Sequence, residues 1–177
     1  MEEQDKIKKY GLLYSGGYDS VALLDLLLKD EEIKDLTVIF ERCPSMQGEA
    51  EYTIAKRTFS FLKHKHKRED IKVRWIQEDI DLSCIGYNKA VNDADILLSI
   101  HLTTVLRHGE INIFYTGWHK TAIYARMKVA KSLLKFYKDK KDDDYKLYFM
   151  EDIFPAFTPE SCKIETITYL LDNNIFI

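Results

Sequence analysis

Cysteine, proline and glycine are scarce in this sequence, and their scarcity excludes several kinds of protein. There are three cysteines, three prolines and seven glycines among 177 residues. Cys43, Cys84 and Cys162 form no Cys-x-x-Cys pair, so we expect neither a disulfide framework nor a zinc site made of cysteines. So little glycine and proline also argues against long structureless linkers, and we interpret residues 1–177 as a single domain.

A long apolar run and an excess of positive charge are also missing. No segment approaches the roughly 18 consecutive apolar residues of a membrane-spanning helix, and the acidic start of the chain lacks the pattern of a signal peptide. We therefore expect a cytoplasmic protein without a membrane partner. The formal net charge of −3 gives no general attraction for nucleic acid, so RNA is not favoured as a partner, although residues 63–68 form a basic run.

The sequence does contain a regular alternation of strand-like and helix-like segments. Its composition, 46% hydrophobic and 31% charged, is that of a globular domain. Alternating strands and helices indicate βαβ units. We therefore predict an α/β, Rossmann-like fold with a mainly parallel five-stranded sheet and helices on both faces. The hydrophobic patterns predict strands at 8–14, 36–40, 71–76 and 111–115, and helices at 21–28, 49–65, 93–107, 121–137 and 163–172.

The first strand-to-helix connection carries the most informative motif, Ser-Gly-Gly-Tyr-Asp-Ser at residues 15–20. In an open parallel sheet this connection is the usual phosphate site, because a helix begins there at the carboxyl end of a strand. The glycines allow backbone N–H groups to approach an anion closely, and the serines add hydroxyl donors. The loop has neither the Gly-Lys-Ser/Thr ending of a Walker A loop nor the third glycine of a dinucleotide fingerprint. The predicted phosphate-binding residues are Ser15, Gly16, Gly17, Tyr18, Asp19 and Ser20.

Asp19 is the unusual residue of this loop, because a carboxylate repels phosphate groups. Two roles are open for it: it caps the helix by accepting backbone N–H bonds, or it binds a Mg²⁺ ion that bridges to the phosphates. A glycine-rich turn with a helix cap and no ligand is the alternative for the whole loop. The complete six-residue motif, between a strand and a strongly apolar helix, favours nucleotide binding.

The motif resembles the signature Ser-Gly-Gly-x-Asp-Ser of the PP-loop ATP pyrophosphatase superfamily, and it matches at all five fixed positions. The resemblance implies an adenine nucleotide alpha hydrolase-like fold with ATP and Mg²⁺ as cofactors. It also implies that ATP is cleaved to AMP and pyrophosphate, and that a substrate oxygen carries the AMP until a nucleophile displaces it. Phe40 and Gly117, near the ends of two strands, are implied as further nucleotide-binding residues, Phe40 through its backbone.

Within this superfamily the chain is similar in particular to 7-cyano-7-deazaguanine synthase. The similar segments are 15–24, 48–51, 96–117 and 157–163. The similarity implies a carbon–nitrogen ligase of queuosine-precursor synthesis that joins ammonia to a small carboxylate or carbonyl substrate as a nitrile or amide, and a homodimer is an open expectation. Asp93 and Ala94 stand where the family has an Arg-Asn pair. The family's four-cysteine zinc module has no counterpart among these residues, so no zinc site is expected.

The release of pyrophosphate from ATP requires cations near the phosphates, because negative charge builds on the leaving group. Lys120 follows a strand and Lys163 lies near the start of a helix, so both are candidate catalytic residues, ahead of Arg126. His119 is a candidate general base for an incoming amine. For each of these residues an ordinary solvated side chain is the alternative.

Two other functions stay open at this point. One is an ATP-dependent tRNA-modifying enzyme that uses the basic run at 63–68. The other is a nucleotide-binding module without catalysis. Cys84 and Cys162 are weak candidates for the nucleophiles of a sulfur-transfer enzyme, because a free cysteine is more often a small buried side chain than a reactive one.

Overall fold

Five parallel strands form one sheet in the order β3-β2-β1-β4-β5. The computed structural model describes residues 8–42, 49–79, 111–120, 132, 135, 146–155 and 158–176. The strands are β1 (Tyr10–Leu13), β2 (Asp35–Arg42), β3 (Lys72–Asp79), β4 (Ile113–Thr116) and β5 (Lys146–Tyr148). The helices are α1 (Tyr18–Lys29), α2 (Glu49–His66), α3 (Met150–Ile153) and α4 (Pro159–Asp172). The predicted α/β, Rossmann-like fold is confirmed.

Each face of the sheet is covered by its own cluster of buried side chains. Leu12, Val38 and Phe40 pack with the apolar residues of α1 in the larger cluster. Leu13 and Ile39, which point the opposite way because strand residues alternate, belong to the smaller cluster on the other face. Both faces of the central strands are therefore buried, as their continuous apolar sequence indicates.

Helix α1 is buried along most of its surface, because its sequence is apolar on nearly all sides. It packs against both α2 and α4. Helix α4 begins four residues earlier than the prediction, because Thr158 accepts a hydrogen bond from the Ser161 backbone N–H at 3.1 Å and Pro159 occupies the first turn. The helices predicted for 93–107 and 121–137 lie outside the described residues.

The strand order reverses at β1, which has β2 on one side and β4 on the other. The chain therefore leaves β1 and β4 in different directions at their carboxyl ends, and a crevice opens between the two connections. This crevice is the usual ligand site of an open parallel sheet, and the 15–20 loop forms one of its walls. None of the helices in the described part of the chain has the length and apolarity to cross a membrane.

Candidate functional site

A cavity of about 320 Å³ lies at the carboxyl ends of β1, β2 and β4. Its volume is at the lower end of the range for small-molecule sites, roughly 300 to 1,000 Å³. The 15–20 loop, the end of β2, the residues after β4 and the start of α4 all contribute to its wall. The predicted site residues that line it are Ser15, Gly17, Tyr18, Asp19, Ser20, Gly117 and Lys163.

The loop owes its shape to Gly16, which has a φ of +80°. A Cβ atom added at Gly16 would lie 2.6 Å from the Cβ of Ala55, so this position has neither the conformation nor the space for a side chain. Gly117 permits a second close approach: a Cβ there would lie 3.4 Å from both the Asp19 Cβ and the Ser20 backbone nitrogen. The loop is therefore held between α2 and the end of β4.

Hydrogen bonds of the Ser20 hydroxyl with Ser15 and Gly17 fix the start of α1. The Ser15 backbone N–H donates to the Ser20 Oγ at 3.2 Å, and the Ser20 hydroxyl donates to the Gly17 carbonyl at 3.0 Å. Gly17 is the N-cap residue, and no side chain of the described residues caps the helix there. The first N–H groups of a helix have no acceptor within it. These donors therefore face the cavity as a site for an anion.

Asp19 lies in the first turn of α1 with its carboxylate mostly buried. Its Oδ1 is buried and has no hydrogen-bond partner among the residues that the structure describes. Its Oδ2 lies 3.6 Å from the His119 Nε2. Among the described residues, no backbone N–H group donates to this carboxylate, which disfavours the capping role that the sequence left open. A buried oxygen without a partner beside a phosphate loop suits a Mg²⁺ ligand.

His119 lies between two carboxylates. Its Nε2 is 3.6 Å from the Asp19 Oδ2, and its Nδ1 is 3.5 Å from the Glu151 Oε1. The contact with Asp19 raises the pKa of His119 above its ordinary value, against the effect of burial, and the charge of Glu151 adds to the increase. A raised pKa increases the protonated fraction of the ring, and the general-base role of His119 stays a prediction.

The two candidate lysines differ in their surroundings. Lys163, near the start of α4, lines the cavity. The Lys120 ammonium forms an ion pair with Asp152 and lies 5.8 Å from the centre of the Phe149 ring. Lys120 is absent from the described lining of the cavity, so Lys163 is the better placed cation. Arg126 lies outside the described residues.

Glu41, Trp118 and Glu151 belong to the site region but were not predicted as site residues from the sequence. Glu41 is the penultimate residue of β2, Trp118 follows β4, and both line the cavity. Glu151 reaches His119 from α3, and its Oε2 accepts a hydrogen bond from the Lys120 backbone N–H at 3.0 Å. A polar residue at the end of a buried strand is a signal that could have found Glu41. Glu151 lies in a four-residue helix that the sequence pattern did not predict.

Phe40, unlike most residues of the 15–20 loop, is not among the described lining residues of the cavity. Its side chain is buried and stacks on Trp75 with 5.5 Å between the ring centres. It belongs to the core between the sheet and α2, as expected for the side chains of residues 38–40. The cavity is lined instead by the next residue of the strand, Glu41.

Several of the remaining sequence candidates make structural contacts. Burial raises the pKa of the Cys162 thiol to about 11, and the charge of Asp19 adds to the increase, so this residue is a poor nucleophile. In the basic run, the Lys65 ammonium donates to the Asn173 carbonyl, and the Arg68 guanidinium donates to the Ile33 carbonyl and to Asp70. Cys84 lies outside the described residues.

A metal site made wholly of protein ligands is not found in the described part of the chain, where no three His, Cys, Asp or Glu side chains converge as a ligand set. Mg²⁺ differs from zinc here, because it commonly binds through one or two carboxylates together with phosphate oxygens and water. Asp19 fits that pattern.

Comparison with known proteins identifies no family. No protein-family model matches the chain, and no curated protein matches it in sequence. The case for a function therefore depends on the motif at 15–20 and on the geometry of the crevice.

Proposed function

We propose that this chain binds ATP with Mg²⁺ in the crevice and transfers AMP to a small carboxylate or carbonyl substrate, with release of pyrophosphate. One observation carries the proposal: the 15–20 loop brings the open N-terminus of α1, two serine hydroxyls and the Asp19 carboxylate, with its buried Oδ1, to one cavity. A helix N-terminus alone suits any anion. The added carboxylate suits an anion that arrives with a divalent cation.

Each group has a distinct part in this proposal. The backbone N–H groups of the loop and the Ser15 hydroxyl bind phosphate oxygens, whereas the Ser20 hydroxyl donates to the Gly17 carbonyl and holds the loop in shape. Lys163, which also lines the cavity, neutralises charge on the leaving pyrophosphate. Asp19 would hold Mg²⁺, which supplies positive charge to the phosphates when bound. His119 holds Asp19 in place through its contact with the Asp19 carboxylate, and Glu151 holds His119 from the other side of the ring.

The identity of the acceptor is proposed from the resemblance to 7-cyano-7-deazaguanine synthase. That resemblance favours a flat heterocyclic carboxylate as the acceptor of AMP and ammonia as the nucleophile that displaces it. Trp118 and Tyr18 line the cavity and offer aromatic surface for such a ring. The chain would then act as a carbon–nitrogen ligase.

The test is product analysis with ATP labelled on the α-phosphate. The protein is incubated with Mg²⁺, ammonium and 7-carboxy-7-deazaguanine, and the label is followed. We expect labelled AMP that depends on the acceptor. Asp19→Asn should lower its rate by at least roughly tenfold, since even the loss of groups that only support a metal ligand costs that much. The exposed Asp172→Asn serves as the matched control.

The same assay separates the other functions. AMP that forms with unmodified tRNA, but not with the small acceptor, supports the tRNA-modifying alternative. Tight ATP binding without AMP under any acceptor supports a binding module. Labelled ADP as the product contradicts the adenylation proposal outright.

A further inference from the structure

Glu41 is a buried acidic residue in the wall of the cavity that the sequence motif does not include. We propose that its carboxylate binds the ribose hydroxyls of the nucleotide and makes the site select ribonucleotides over 2′-deoxyribonucleotides. The inference rests on the proposed nucleotide site and adds to it a residue that determines specificity.

The sheet places Glu41 beside the phosphate loop. Leu13 of β1 pairs with Ile39 of β2, and the Tyr14 backbone N–H donates to the Ile39 carbonyl at 2.9 Å. Glu41 lies two residues beyond Ile39, as Ser15 lies two residues beyond Leu13. The carboxylate and the start of the loop are therefore at the same level of the sheet, on neighbouring strands.

The direction of the Glu41 side chain follows from the alternation of β2. Phe40 points into the core against Trp75, so Glu41 points to the other face of the sheet, the face of Ile39. It is 7% exposed and lines the cavity together with Asp19 and Lys163. At a position so little exposed to water, a hydrogen bond from a ligand to this carboxylate is stronger than it would be in water.

The chemistry of a ribose suits this position. The 2′- and 3′-hydroxyls are two adjacent donors, and an ionised carboxylate can accept from both in charge-assisted hydrogen bonds. Glu41 follows Asp19 by about 20 residues and lies one residue before the end of β2, close to where acidic residues bind the ribose in parallel sheets that hold dinucleotides. A carboxylate at this position could also bind a cation. The test therefore has to separate binding of ribose by Glu41 from binding of a second Mg²⁺ ion.

The experiment is equilibrium binding of ATP and 2′-deoxy-ATP, with Mg²⁺, to the wild type and to Glu41→Gln. We expect the wild type to bind ATP at least about tenfold more tightly, as a hydrogen bond to a charged group allows. In Glu41→Gln the preference should fall below about threefold, because ATP binding weakens and 2′-deoxy-ATP binding does not. Glu78→Gln is the matched control, since Glu78 pairs with Glu41 in register and is not among the described lining residues.

The outcomes separate this inference from the proposed function. If the wild type binds neither nucleotide, both are wrong. If the wild type binds both nucleotides equally, or if Glu41→Gln keeps the full preference, only the ribose role of Glu41 is wrong. Equal weakening of both nucleotides with a higher Mg²⁺ requirement would overturn it in favour of a metal ligand. If Glu41→Gln does not fold, Glu41→Asp takes its place, since it keeps the charge but withdraws the carboxylate by one methylene, and an unchanged preference in that variant would overturn the ribose role.

Discussion

At the residue scale, the two adjacent glycines of the phosphate loop have different physical roles. Gly16 has a positive φ and touches Ala55, so no side chain fits there. Gly17 has a φ of −75°, and a Cβ added there would meet only the Ser15 Oγ, at 3.4 Å. Gly16 is therefore required by the fold, whereas Gly17 leaves room on its exposed side for a ligand.

This difference predicts different costs of adding one methyl group. Gly16→Ala should lower the free energy of unfolding by about 1 to 3 kcal/mol, because alanine is strained at positive φ and collides with α2. Gly17→Ala should change it by less than about 1 kcal/mol. Urea unfolding of both variants measures the two values, and equal destabilisation would contradict the account of the loop.

At the element scale, the Asp25 carboxylate joins three helices. It is completely buried in α1. Lys29 lies 2.6 Å from its Oδ2, His66 of α2 lies 2.7 Å from its Oδ1, and the Tyr169 hydroxyl of α4 donates to its Oδ2 at 2.6 Å. Burial would raise the pKa of Asp25, but the hydrogen bonds from Lys29, Tyr169 and His66 outweigh it and lower this pKa to about 2.

The lowered pKa of Asp25 predicts that the free energy of unfolding falls as the pH is lowered. The ionised Asp25 stabilises the fold above the ordinary carboxyl pKa of 3.8, and this stabilisation is lost as the pH falls towards 2. The shift corresponds to about 2 kcal/mol. At pH 7 we expect the free energy of unfolding of Asp25→Asn to be lower than that of the wild type by about that amount. Between pH 4 and pH 2 it should fall by less than that of the wild type.

Urea unfolding at pH 7, 4 and 2 measures this dependence. The control is Asp172→Asn, which changes an exposed carboxylate of α4. If Asp25→Asn were as stable as the wild type at pH 7, or lost the same stability on acidification, the three-helix role of Asp25 would be wrong.

Most elements near the site could be predicted from the sequence, because they carry strong local signals. The apolar run at 21–28 predicts a buried helix, and α1 extends it by one turn to the glycines. Strand β5 was not located, since its three residues are half-exposed and owe their pairing to β4. The role of Glu151 could not be predicted either, because its contact with His119 depends on the packing of α3 and not on any nearby motif.

At the scale of the whole molecule, two cavities lie at opposite ends of the sheet. The second is larger, about 640 Å³, and includes Lys63, His64 and Lys67 in its lining. It lies at the carboxyl ends of α1 and α2, about 18 Å along α1 from the phosphate loop, given a rise of 1.5 Å per residue. Size and positive charge alone favour the second cavity as an anion site. Strand order, the open helix N-terminus and the buried Asp19 favour the first.

One measurement decides between the two ends: the affinity of Mg²⁺-bound ATP for the wild type, Lys163→Met and Lys63→Met. Methionine removes the charge and keeps most of the side-chain length. We predict that Lys163→Met weakens ATP binding by about tenfold, the value of one hydrogen bond to a charged group, and that Lys63→Met changes it by less than about twofold. Weakening by Lys63→Met with Lys163→Met unchanged would contradict the assignment of the nucleotide to the 15–20 loop.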